Sequence, residues 1–156
     1  MYSVLLTAIA LWISANFDLP ANAPLPNVKL VSAQEITFLR YGAFTSAQQR
    51  EVANQEQQTS GVLNRRQAVA VYDDLSETIF LPDNWKGDTP AELSVLVHEM
   101  VHHLQNKTHL KYECRGAREE LAYKVQEKWL SLFERELASE FQIDPFTLKV
   151  STTCGF

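Results

Sequence analysis

The chain has 156 residues, enough for one domain around a single core and too few for a second. Its apolar share of 46% and charged share of 21% are those of a globular protein rather than a disordered one. The formal net charge is -5 and the only adjacent basic pair is Arg65-Arg66, so a phosphate backbone would be repelled and nucleic acid is not expected as a partner.

Val4 to Ala15 is a nearly unbroken apolar run, and no Lys or Arg precedes Lys29. The run is too short to span a bilayer but suits the core of a secretory signal, and Ala21-Asn22-Ala23 resembles a cleavage site. Residues 1–23 are therefore expected to be a signal peptide and 24–156 the mature domain, secreted or periplasmic. The competing expectation is an uncleaved anchor or a buried N-terminal helix, and membrane contact is expected only in the uncleaved case. Two features favour that competitor: no positive charge leads the run, and Pro24 would follow the cut directly.

Pro20 to Pro26 reads as an extended linker. Val28 to Val31 is a short strand candidate, followed by Ser32-Ala33-Gln34-Glu35, a capping box that should open a helix through about Tyr41 and stop at Gly42. Ser46 to Ser60, rich in Gln and Glu, fits either an exposed helix or a loop. Ala68 to Tyr72 and Thr78 to Leu81 are β-branched or aromatic runs that predict a hairpin ended by Pro82. Asp83 to Asp88 is a polar turn, and for the acidic pair Asp73 and Asp74, also in a turn, turn chemistry is a sufficient explanation.

Thr89-Pro90-Ala91-Glu92 is a strong helix start, with a capping Thr, Pro at the first helical position and Glu at the third. That helix should run to about Asn106. A second, longer one is predicted from about Gly116 to Phe141, with Leu121, Val125, Trp129, Leu132, Phe133 and Leu137 at helical spacing. The expected fold is a small α+β domain, a few strands preceding two helices that carry the chemistry. The two cysteines, Cys114 and Cys154, permit one bridge, which would tie the tail to the segment after the first of those helices and stabilise by roughly 3–4 kcal/mol. The alternative is two unpaired buried thiols.

The first helix contains His98-Glu99-Met100-Val101-His102, an H-E-x-x-H motif. A spacing of four residues puts His98 and His102 on one helix face, where two imidazoles can bind one Zn²⁺. Glu99, beside the first of them, can reach a water activated by the metal and act as general base without being a ligand. His103 points about 100° away and is not expected on the same ion. A bare motif is weak, but its uncharged Met100 and Val101, apolar Leu104 and capped helix raise it above chance.

A third ligand is needed, and Glu119-Glu120-Leu121-Ala122 on the next helix resembles the downstream Glu-x-x-Ala of the gluzincins, small bacterial zinc metallopeptidases among them. The resemblance covers about residues 67 to 130 and implies a minimal zincin-like domain, with Zn²⁺ on His98, His102 and Glu119 and Glu99 as base. The acidic residue that usually follows is Tyr123 here. Glu119 shares a helical stripe with Ala122, Tyr123 and Gln126, whereas Glu120 leans toward Lys124; Glu120 and then Glu113 are the other candidates. By the same resemblance, Thr78 to Leu81 would edge a cleft and pair with an extended peptide or protein substrate. Tyr123, ahead of His109 and Tyr112, is the candidate donor to an oxyanion. The implied function is an exported zinc-dependent hydrolase, of the peptidase type. The alternative is a non-catalytic zinc-binding or interaction domain on the same scaffold, and an ordinary helical protein with a chance motif stands third. Nothing in the sequence bears on oligomeric state.

Overall fold

A computed structural model describes residues 2–40 and 70–155. The Gly42 stop, Ser46 to Ser60 and the first residues of the expected Ala68 to Tyr72 strand lie outside them. Six helices and one three-stranded sheet are found among the described residues: α1 (Ser3–Asn16), β1 (Asn27–Val31), α2 (Ala33–Arg40), β2 (Val71–Asp73), β3 (Thr78–Pro82), α3 (Pro90–Lys107), α4 (Arg115–Ser131), α5 (Leu137–Phe141) and α6 (Pro145–Ser151). The class is α+β, as expected.

Helix α3 is the centre of the molecule. Its start follows from its sequence. Thr89 Oγ1 accepts from Glu92 N at 3.1 Å, Pro90 takes a position that needs no donor, and the Glu92 carboxylate reaches back to Gly87 N at 2.7 Å and Asp88 N at 3.1 Å. Gly87 has φ +72 and a Cβ there would meet the Trp85 ring at 2.5 Å, so only glycine fits this approach. Every residue from Ser94 to Gln105 is buried, which marks α3 as a core helix rather than a surface one. It is wrapped by the sheet on one side and by α1 and α4 on others.

The sheet has the order β1-β3-β2, with β1 parallel and β2 antiparallel to β3. The hairpin is present as expected. Its second strand, however, is the internal one: Asn27 to Val31 pairs with Thr78 to Pro82 on one side and Val71 to Asp73 with Thr78 to Phe80 on the other. Both rows of β3 backbone groups are used by these ladders, so Thr78 to Leu81 is not a free edge for a substrate. The edges among the described residues are β1 and β2.

The N-terminal apolar run forms α1, and Leu6, Ile9, Ala10 and Ile13 are buried in the same core as Val97, Met100 and Val101 of α3. Trp12 stands edge-on to Trp129 of α4, ring centroids 5.2 Å apart, and Tyr2 does the same to Trp85 at 6.1 Å. No helix among the described residues is long and apolar enough to cross a membrane.

The second long helix is shorter than expected. It ends at Ser131, where Glu134 takes a left-handed φ of 58° and Arg135 N bonds back to Leu130 O at 3.0 Å. The chain then turns, and Leu137 and Ile143 pack with Leu130 in a small second core. Leu132 and Phe133, apolar positions of the expected helix, are largely exposed at this turn. A reversal that reburies Leu137 beside Leu130 preserves the apolar period, which is why the break is invisible to periodicity. The tail is held by Asp144, which caps α6 at Thr147 N, and by the Cys114–Cys154 disulfide. Gly116 lies so close beneath α6 that a Cβ would sit 2.8 Å from Ser151 O.

Candidate metal centre

The packing of α4 on α3 decides the site. Ala122 and Val125 are fully buried at this contact, and the small Ala122 lets the two helices approach. One turn before Ala122, Glu119 is thereby aimed at the α3 histidines. Its carboxylate meets His98 Nε2 at 3.0 Å through Oε2 and His102 Nε2 at 3.1 Å through Oε1. One ligand atom from each of His98, His102 and Glu119 lies within 4.8 Å of the others, so the three could hold a metal ion. Two imidazole nitrogens and a carboxylate oxygen are a donor set that suits a divalent transition ion.

The electrostatics fit such a cluster. Burial pushes the Glu119 carboxyl up, but hydrogen bonds from His102 and His98 and their charge outweigh it and hold it well below the usual carboxylate range. Burial likewise pushes His102 down, yet its contact with Glu119, helped by Glu99 and Gln105, leaves it raised. Each imidazole has its outer nitrogen engaged: His98 Nδ1 with Gln126 Oε1 at 2.9 Å and His102 Nδ1 with Gln105 Oε1 at 2.8 Å. The inner nitrogens are the ones left for an ion.

Glu99 is buried beside His98 and makes no hydrogen bond or ion pair to any described residue. Tyr123 lies with its ring edge-on to His98, centroids 4.6 Å apart. Glu120 is exposed and pairs with Lys124 at 3.1 Å, and Glu113 is exposed as well. His109 is exposed with φ 55, while Tyr112 accepts from Gln105 Nε2 at 3.0 Å and so sits behind His102 rather than in front of it. Gln105 and Gln126 were given no role by the motif. Their signal in the sequence was only positional: Gln126 on the Glu119 stripe, and Gln105 three residues after His102.

His103 belongs to a separate polar chain and not to the metal cluster. It is buried, its Nε2 donates to Pro24 O at 2.6 Å, and its Nδ1 lies 2.8 Å from Tyr72 Oη, which also accepts from Asn106. Burial is the main reason its basicity is lowered, against the opposing bond to Pro24. Asp74, assigned above to turn chemistry alone, is gripped by Arg118 in two bonds of 2.6 and 2.8 Å, and Arg118 also reaches His102 O at 3.3 Å. Asp73 does keep to the turn, accepting from Ser76 N at 3.0 Å.

The fold and site thus define a small α+β domain with a cluster of two buried histidines and one half-buried carboxylate between two packed helices. The chain belongs to the family described as a domain of unknown function (DUF6647), whose model matches residues 43–155. No curated protein and no solved structure matches the chain.

Proposed function

We propose that this protein is a zinc-dependent hydrolase of the peptidase type on a zincin-like scaffold, working in an oxidising compartment outside the cytoplasm. The observation that carries the reading is the convergence of His98 Nε2, His102 Nε2 and the Glu119 carboxylate beside the buried Glu99, whose charge acts on His102. Zn²⁺ held by those three residues would supply Lewis-acid activation of water and polarisation of a scissile carbonyl. Glu99 would take the proton as water attacks and deliver it to the leaving amine. Tyr123, whose ring lies against His98, would donate to an oxyanion. The disulfide supports the compartment, because such bonds persist where thiols are not kept reduced.

A second reading, a non-catalytic zinc-binding domain, is favoured by one observation: the strand expected to border a substrate is internal to the sheet. One pair of measurements separates the two. Elemental analysis of the wild type and Glu119→Ala should find about one zinc per chain in the first and a clear loss in the second. Hydrolysis of a mixed-sequence peptide library should then occur with the wild type and disappear in Glu99→Gln, which keeps its zinc. Zinc without cleavage in either protein supports the binding domain. No zinc in the wild type after loading and desalting ends both readings.

A further inference from the structure

We infer that Gln105 and Gln126 are positioning residues that lock both metal-facing histidines in one tautomer, using neutral amides where a carboxylate could have served. The inference rests on the metal reading above but not on hydrolysis.

It follows from hydrogen-bond polarity. Gln126 Nε2 lies 3.1 Å from Ser94 Oγ, and the Ser94 hydroxyl proton is already directed to Ala91 O at 2.7 Å. Ser94 Oγ can therefore only accept, which turns the Gln126 amide nitrogen toward it and the amide oxygen toward His98 Nδ1. Gln105 Nε2 is 3.1 Å from Arg118 O, a backbone carbonyl that has no proton to give. The same nitrogen is within 3.0 Å of Tyr112 Oη, so the Gln105 oxygen must face His102 Nδ1. Flipping either amide would set oxygen against oxygen. Both Nδ1 atoms consequently carry a proton, and each Nε2, which shares a proton with the Glu119 carboxylate when no ion lies between them, is the nitrogen whose lone pair an ion would take.

His103, the next residue along α3, shows that this is not a property of the helix. Its Nε2 faces Pro24 O, which can only accept, so its proton is on Nε2 and its Nδ1 accepts from Tyr72. Three histidines within one and a half turns are sorted into two tautomers by their partners. Both nitrogens of His103 are used by protein groups, and it has none to offer an ion. Burial sharpens the sorting, since Gln105, Gln126 and Ser94 are all nearly inaccessible and no water competes for these bonds.

Partners of ligating histidines orient the ring and tune its basicity, and their loss typically weakens metal binding about 10–100-fold. The expected result is that Gln126→Met and Gln105→Met, which keep side-chain length and lose the acceptor, each bind zinc about 10–100-fold more weakly than the wild type in competition with a chromophoric chelator. Gln126→Glu, which restores an acceptor for Nδ1–H, should recover wild-type affinity or exceed it. Met variants that bind as tightly as the wild type, or a Glu variant no better than Met, overturn the inference. Should the Met variants fail to fold, long-range ¹H–¹⁵N correlation spectra of the wild type decide directly. Protons on Nδ1 of His98 and His102 and on Nε2 of His103 are expected, and a proton on Nε2 of His98 or His102 in the zinc-loaded protein overturns it. A wild type that takes up no zinc removes the metal reading itself, a different failure seen in the first titration.

Discussion

Replacing Ile13 by alanine tests whether the N-terminal helix is part of the domain. Ile13 is fully buried and Ile9 nearly so, both in the core that holds Val97 and Met100 beside the candidate ligands. Cutting a buried Ile to Ala costs about 2–5 kcal/mol through lost transfer energy and the cavity left behind. In a protein of this size that lowers the melting temperature by on the order of 10 °C. Leu11 on the same helix is 58% exposed, and Leu11→Ala should change stability by less than about 0.5 kcal/mol. Removing residues 2–23 altogether strips Leu6, Ile9 and Ile13 from the core, worth about 1.5–3 kcal/mol each. Their sum is comparable to the whole stability of a domain, about 5–15 kcal/mol, so the shortened chain should not keep α3 folded. The assay is thermal and urea unfolding followed by circular dichroism, on protein whose N-terminus is verified by intact mass. If the shortened chain melts where the full one does, or Ile13→Ala behaves like Leu11→Ala, then α1 is a leader laid on a finished domain. The signal reading of residues 1–23 would then stand.

Three further outcomes are expected. Cys154→Ser, or reduction of the wild type, should lower the unfolding free energy by roughly 3–4 kcal/mol, because the bridge closes a separation of 40 residues; an unchanged urea midpoint would show that the tail contributes nothing. Arg118→Ala should cost about 0.2–1 kcal/mol, since the Arg118–Asp74 pair is partly exposed, and a double-mutant cycle with Asp74→Ala measures the pair itself. The pH dependence of His103 has a definite sign. Its folded pKa is depressed below the ordinary value of about 6.5, so its contribution is whole above that value. As the pH falls from about 6.5 toward the depressed pKa, the unfolded chain binds a proton that the folded one resists, and stability drops. His103→Gln should flatten this acid limb in stability measured across pH, and an identical limb in the variant would assign it to other groups.

The parts of this structure that were legible in the sequence are those set by local chemistry. Thr89, Pro90 and Glu92 announced α3, Ser32 announced α2, and the spacing of His98 to His102 put both rings on one face. Glu119 was distinguishable from Glu120 because a stripe containing Ala122 can pack closely and one running to Lys124 cannot. What stayed hidden depended on distant partners. The parallel pairing of β1 with β3 joins segments far apart in the chain, and a β-branched and aromatic run such as Thr78 to Leu81 reads the same for an edge strand as for an internal one. The end of α4 at Ser131 was hidden by Glu134, a residue type that gives no warning of a left-handed turn.

The three neighbouring uses of histidine in α3 show why residue type and spacing alone underdetermine a site. His98, His102 and His103 have the same chemistry in isolation and lie within six residues of one another. What separates ligand candidates from a structural histidine is which nitrogen each partner consumes. Gln126 and Gln105 consume the outer nitrogens and leave the inner pair to face Glu119, whereas Tyr72 and Pro24 consume both nitrogens of His103. Gln105 is one helical turn from His102 and could be found by spacing, but Gln126 comes from α4, through the same helix contact that delivers Glu119. A single packing event, Ala122 and Val125 against α3, therefore supplies both the third candidate ligand and the group that orients the first. Enlarging Ala122 should disturb both together, and no change at either residue alone would reproduce that combined loss.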